Sequence, residues 1–217
     1  MKLFLDTADY KAIERWVSVG VVEGLTTNPT LLSKQEDDHI TLSKKLCDLV
    51  SGDVNLEVIE NDPKSLMEEA RRIGKIAKNA IVKIPFSVEN LPAIRDLVNE
   101  GIKVNVTLVF SLVQALLAFK AGVEYISPFV GRFEDSGGDA VDFLTSFVEL
   151  RDYWSFKTKI LAASIRSVGQ MEMAILSGAD VVTVPPEVLE KATKHVLTEK
   201  GIRTFENDWK KLKGGTF

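Results

Sequence analysis

Short runs of β-branched and apolar residues alternate along the chain with longer stretches whose apolar positions recur every three or four residues. Eight such runs stand out, centred near Phe4, Leu25, Leu56, Val82, Asn105, Ile126, Ile160 and Val182, and each reads as a strand. Between them, Leu66, Ala70, Ile73 and Ala77 form a one-sided apolar stripe, as do Leu91, Ile94, Leu97 and Val98. Such stripes predict amphipathic helices, and further helices are predicted over 10–19, 37–50, 111–121, 139–154 and 168–177. Gly20, Gly101, Gly122 and Gly178 each close a helical stretch, where a left-handed cap costs glycine little. A strand followed by a helix about every 25 residues is the repeat of a compact barrel. The expected fold class is α/β: a single (β/α)8 TIM barrel over residues 1–217. A seven-strand doubly wound sheet is the alternative, because the run at Leu25 is short and bounded by Gly24 and Pro29. Past the eighth unit, Ile202, Phe205, Trp209 and Leu212 keep helical spacing, which predicts an extra C-terminal helix over 201–213.

Composition narrows the classes of function. With 217 residues, 45% apolar and 27% charged, the chain has the make-up of an ordinary globular protein. Its net charge of −4 supplies no general attraction to nucleic acid or an anionic bilayer, so neither partner is expected. The longest apolar run, Ala115 to Phe119, is five residues, far short of the roughly 20 needed to span a membrane. The first residues reach an acid at Asp6 before a signal-type apolar core forms, so the expected location is cytoplasmic. Cys47 is the sole cysteine, and His39 and His195 are the only histidines. A Cys/His zinc site and a Ser/His/Asp triad are therefore poor candidates. Carboxylate-bound magnesium stays open on these counts; no cofactor is expected, and the chemistry falls to Lys, Asp, Glu, Arg and hydroxyl groups.

Strands covered by helices and filled inside should be apolar on both faces, so polar residues alternating along them need a reason. In Val104-Asn105-Val106-Thr107-Leu108, the aliphatic parity faces the helices and turns Asn105 and Thr107 inward. The same parity turns Lys83, Glu57 and Asp6 inward, while Ser127 and Ser164 stand at strand ends. All lie toward the C-terminal ends of their strands, where barrels of this kind build active sites. A lysine withdrawn from water has its charged form disfavoured, which frees the amine as a nucleophile toward a carbonyl. The plainer alternative is a buried ion pair with Asp6 or Glu57. Arg132 follows the sixth strand and Arg166 closes the seventh. Two guanidinium groups with a hydroxyl suit a phosphate clamp, and two surface salt bridges are the alternative.

At these residues the chain resembles the transaldolase family, in particular its short form, related to fructose 6-phosphate aldolase. The resemblance runs over essentially the whole chain, on Phe4-Leu5-Asp6-Thr7-Ala8, Thr26-Thr27-Asn28-Pro29, Leu56-Glu57-Val58, Val82-Lys83-Ile84-Pro85, Asn105-Val106-Thr107, Ser127-Pro128-Phe129-Val130-Gly131-Arg132 and Ala162-Ala163-Ser164-Ile165-Arg166. It implies a class I, metal-independent transfer of a dihydroxyacetone unit from sedoheptulose 7-phosphate to glyceraldehyde 3-phosphate. The products would be erythrose 4-phosphate and fructose 6-phosphate, in the non-oxidative pentose phosphate pathway. By the same resemblance Lys83 is the Schiff-base lysine and Asp6 the acid/base at the C4 hydroxyl, while Glu57 activates a water with Thr107. Asn28, Asn105 and Ser127 would hold the dihydroxyacetone part. Arg132, Ser164 and Arg166 would bind phosphate, and Thr26 and Phe129 line the pocket. Fructose 6-phosphate aldolases carry Gln where Glu57 stands and Tyr where Phe129 stands, which favours the transferase over the aldolase. A non-catalytic sugar-phosphate binding barrel is a third reading. The family also implies a homo-oligomer, pentameric or decameric, in which the helix over 201–213 docks on a neighbouring subunit.

Overall fold

Each of the eight apolar runs forms a strand in the computed structural model, which describes residues 1–60 and 62–213. Residues 61 and 214–217 of the expected span lie outside the described residues. The strands are β1 (Lys2–Asp6), β2 (Gly24–Thr26), β3 (Val54–Glu57), β4 (Ala80–Pro85), β5 (Val104–Val109), β6 (Tyr125–Pro128), β7 (Lys159–Ala162) and β8 (Val181–Val184). Every neighbouring pair is parallel, and β8 pairs back onto β1 from Lys2↔Val181 to Leu5↔Val184, closing the barrel. Closure sets aside the doubly wound sheet. The short run at Leu25 is paired on both sides, to β1 and to β3.

The helices are α1 (Tyr10–Ser18), α2 (Pro29–Leu32), α3 (His39–Leu49), α4 (Pro63–Gly74), α5 (Leu91–Asn99), α6 (Leu112–Lys120), α7 (Val130–Asp135), α8 (Ala140–Tyr153), α9 (Val168–Leu176), α10 (Pro186–Ala192) and α11 (Val196–Lys213). Asp9, Asp38, Ser111, Asp139 and Ser167 open α1, α3, α6, α8 and α9 with side chains that accept backbone N–H groups. Such caps are each worth about 1 kcal/mol. Gly20, Gly101, Gly122 and Gly178 all take positive φ, from +78° to +81°, as their places after helices require. The last helix starts at Val196, five residues earlier than its apolar spacing predicts, and runs through Gly201.

Two apolar regions hold the barrel. The larger lies between strands and helices, with Leu5, Leu25, Leu56, Val82, Ile84 and Val106 against Ile13, Leu46, Ile73, Ile94 and Phe147. The smaller fills the barrel interior near the strand starts, where Phe4, Ile81, Tyr125, Leu161 and Val181 pack together. Gly24 makes that plug possible, since a Cβ there would stand 2.5 Å from the Phe4 ring. The Tyr125 hydroxyl is tied to Asp53 Oδ2 at 2.5 Å. Burial, and then Asp53, pushes its phenol pKa up, so it stays protonated and donates that bond. The polar inward residues sit above this apolar floor. Among the described residues no helix is long and apolar enough to cross a membrane.

Candidate active site

The two-residue period of a strand decides which side chains look inward. With Val82 and Ile84 taken by the outer core, Lys83 turns to the barrel axis, where only 3% of it is exposed. The register places Glu57 of β3 beside Lys83 on one flank and Asn105 of β5 on the other. Lys83 Nζ is 2.8 Å from Glu57 Oε2 and donates to the Thr27 carbonyl at 2.9 Å. The ammonium therefore has a carboxylate within proton-transfer reach.

Asp6, at the end of β1, accepts a hydrogen bond from Thr26 Oγ1 at 2.8 Å. Thr26 Oγ1 is in turn 2.7 Å from Thr183 Oγ1; because Thr26 spends its proton on Asp6, Thr183 is the donor in that second bond. Burial raises the Asp6 carboxyl above its ordinary range, and it outweighs the Lys83 charge and the Thr26 bond, which pull it down. Glu187, in the first turn of α10, adds a smaller upward push.

A second polar chain crosses the barrel. Ser127 Oγ donates to Asn105 Oδ1 at 2.9 Å, Asn105 Nδ2 to Asn55 Oδ1 at 2.9 Å, and Asn55 Nδ2 to the Leu25 carbonyl at 3.0 Å. This chain locks the amides in one orientation, as buried polar groups require. Within the site Thr107 departs from that rule, as His39 Nε2 and Ser43 Oγ do elsewhere: its Oγ1 is buried without a partner. It stands where the β5–β6 register shifts, between Val106 and Val109, and the next residue, Leu108, has φ +59°. A bulge of this kind re-aims a side chain, and a non-glycine residue in the left-handed region stores about 1–3 kcal/mol of strain.

Asp6, Thr26, Lys83 and Ser127 line a cavity of about 130 Å³, whose rim carries Asn28, Phe129, Arg132, Ser164 and Arg166. Glu57 faces an adjoining cavity of about 390 Å³ that shares Asn28, Phe129 and Arg132 with the first and adds Leu108. Asn105 and Thr107 stand behind these walls, fully buried. Asn28 Oδ1 caps α2 by accepting the Leu31 N–H at 3.0 Å. Arg132 lies over the Phe129 ring, 5.1 Å from its centroid, and Arg166 pairs with Asp135. Both arginines are exposed at the rim. What joins them is a close approach of two chain segments: the Gly131 N–H donates to the Ser164 carbonyl at 3.0 Å, and Ser164 itself has φ +59°. A Cβ on Gly131 would lie 2.3 Å from that carbonyl oxygen and 3.1 Å from the Arg166 side chain.

All twelve residues singled out from the sequence thus sit in or directly behind one region at the C-terminal ends of the strands. Three more belong to it. Asn55 shares the parity of Glu57 in Val54–Glu57, so its inward position was readable. Thr183 looks like any β-branched strand residue, and Thr27 contributes a backbone carbonyl, which has no signature in sequence. Among the described residues no group of three or more His, Cys, Asp or Glu is placed to hold a metal ion.

Fold and site together define a (β/α)8 barrel with a lysine-centred polar chamber. Residues 3–216 match the family model described as Transaldolase/Fructose-6-phosphate aldolase. The chain belongs to that family. It is 45% identical over 213 residues to a “Probable transaldolase” of Streptococcus pyogenes, covering 98% of this chain and 100% of the relative. It is 46% identical over 213 residues to a “Probable transaldolase” of Caldicellulosiruptor saccharolyticus, covering 98% of each. Among solved structures, a putative fructose-1,6-biphosphate aldolase from Coccidioides immitis superimposes with TM-score 0.58 at 15% identity, over 91% of this chain and 81% of that one. A mandelate oxidase mutant superimposes with TM-score 0.62 at 14% identity, over 85% of this chain and 64% of that longer one. At such identities these two structures show the shared barrel alone.

Proposed function

We propose that this protein is a transaldolase that moves a dihydroxyacetone unit from sedoheptulose 7-phosphate to glyceraldehyde 3-phosphate through a Schiff base on Lys83, without a metal. The observation that carries this reading is Lys83 itself: a buried amine 2.8 Å from Glu57, in a cavity that Asp6 also lines. Glu57 takes a proton from the ammonium, and the free amine adds to the donor's C2 carbonyl. The carbinolamine loses water, with the proton supplied through Glu57 and a water held by Thr107, whose buried hydroxyl has no protein partner. The iminium then accepts the electron pair of the C3–C4 bond as Asp6 removes the C4 hydroxyl proton. A carboxyl raised by burial suits that step, because it holds a proton more readily than an ordinary carboxylate does. Erythrose 4-phosphate leaves, and the Lys83 enamine adds to the acceptor aldehyde, with Asp6 returning its proton to the new hydroxyl. Hydrolysis of the second iminium releases fructose 6-phosphate.

Substrate placement follows from the rim. Asn28 and Ser127 border the space next to Lys83 and suit the dihydroxyacetone hydroxyls, with Asn105 orienting Ser127. Thr26 and Phe129 shape the wall. Arg132, Arg166 and Ser164 suit the phosphate, for which Arg166 exchanges its exposed partner Asp135. Apolar Phe129 and Leu108 beside Glu57 limit the entry of water, which favours transfer over release of the three-carbon fragment. The exposed apolar stripe of α11, including Ile202, Phe205 and Leu212, supports docking of this helix on a second copy in a pentamer or decamer.

Borohydride reduction in the presence of fructose 6-phosphate tests the chemistry. The expected result is a covalent three-carbon adduct on Lys83, lost in Lys83→Met together with at least about 10³-fold of the transfer rate. Wild-type protein that gains no adduct rejects the enzyme reading in favour of a sugar-phosphate binding barrel. Cleavage of fructose 6-phosphate to free dihydroxyacetone as fast without an acceptor as transfer proceeds with one assigns it to the aldolases instead.

A further inference from the structure

A buried carboxylate outside the cavity is bonded to the backbone just past the strand that carries Glu57. Glu69, on the inner face of α4, is only 5% exposed. Its Oε2 accepts the backbone N–H groups of Ile59 and Glu60, each at 2.9 Å. These follow Glu57 by two and three residues. Between them and Glu57, the Val58 N–H is fixed by the carbonyl of Lys83 at 3.0 Å. The other Glu69 oxygen, Oε1, stands 3.6 Å from His39 Nδ1 at the start of α3, so that α3, α4 and the β3–α4 turn meet at one carboxylate. Burial lowers the His39 pKa, against the pull of Glu69 and Asp38.

A surface loop of this length needs no buried anion to hold it, and leaving a carboxylate unpaired in the interior is costly. The turn is instead pinned at both ends of a single short span: to Lys83's strand through Val58, and to α4 through Ile59 and Glu60. We propose that Glu69 is a positioning residue for the reaction, holding Glu57 at proton-transfer distance from Lys83 by clamping the two amides that follow it. The proposal rests on the Schiff-base reading above. Glu69 touches neither the cavity nor the substrate and acts only through Glu57.

The test is a cycle of Glu69→Ala, Glu57→Ala and the double variant, read by kcat, KM and the rate of borohydride-trapped adduct formation on Lys83 with fructose 6-phosphate. Glu69→Ala is expected to lower kcat about tenfold, with KM for fructose 6-phosphate within about twofold, and to slow adduct formation by the same factor. In the Glu57→Ala background the same change should alter kcat less than about twofold, because the group being positioned is gone. Glu69→Gln, whose amide oxygen can still accept both N–H groups, should return kcat to within about threefold of wild type. Should Glu69→Ala be insoluble, Glu69→Asp, shorter by one methylene, takes its place in the cycle with an expected loss of about fivefold. An equal loss with and without Glu57, or a lower Tm with kcat per folded molecule unchanged, makes Glu69 merely structural and overturns the proposal alone. Wild-type protein without a Lys83 adduct overturns the Schiff-base reading and this proposal together.

Discussion

Asp6 shows how burial links a side chain's cost to stability with the chemistry proposed for it. Its pKa is raised from an ordinary 3.8 because burial outweighs the attraction of Lys83. The folded state therefore binds this proton more tightly than the unfolded chain, and the sign follows from linkage. The associated stability is present below pH 3.8 and is lost as pH rises through the folded-state value. Well above pH 3.8 the buried carboxyl therefore costs the fold stability. Asp6→Asn, which can still accept the Thr26 bond, is expected to raise Tm at pH 7, by about 2–4 °C for each 1 kcal/mol relieved. The gain should shrink as the melts are repeated toward pH 4. Transfer activity should fall by about 10²–10⁴-fold, the usual loss of a general acid/base. Much of the site is legible at this scale, since alternation along Val104–Val109 or Ala80–Pro85 separates Asn105, Thr107 and Lys83 from the aliphatic parity without any tertiary information. The partners of those residues are less legible. The Thr27 carbonyl, the Thr183 hydroxyl and the Glu69 clamp are set by register between distant segments, and His39 has no evident role until α3 is seen against α4.

At the scale of elements, length decides what a sequence reveals. Helices of nine residues or more repeat their apolar stripe often enough to be read, whereas α2, α7 and α10 have four, six and seven residues and give no period. They nonetheless shape the rim: α2 is capped by Asn28, α7 carries Arg132, and α10 presents Glu187 toward Asp6. The α7 turn is held against the β7–α9 segment at Gly131, and a methyl group there has no space beside the Ser164 carbonyl. Gly131→Ala is expected to cost about 1–3 kcal/mol, as overpacking does. It should also part Arg132 from Arg166, so KM for phosphorylated substrates should rise at least about tenfold while borohydride trapping with unphosphorylated dihydroxyacetone changes little. Differential scanning and steady-state kinetics on one preparation measure both effects.

The whole molecule leaves α11 outside its own core. Val196, Leu197, Ile202, Phe205 and Leu212 are all exposed, although a helix with this apolar stripe normally buries it. Ending the chain after Lys194 is expected to lower the mass measured by light scattering to that of a smaller assembly. The barrel should remain folded, because none of the large apolar residues of α11 is buried. An unchanged mass would remove the helix from the assembly. The apolar floor of the barrel has a different consequence. With Phe4, Ile81, Tyr125, Leu161 and Val181 packed behind Lys83, the chamber is closed on that side. On the transfer proposed above, the cleaved aldehyde and the incoming acceptor reach Lys83 from the same side, and the first has to clear the cavity before the second can take its place. If the proposed transfer holds, initial-rate plots against one substrate at several concentrations of the other should be parallel lines, the pattern of a covalent carrier that empties its cavity between two half-reactions.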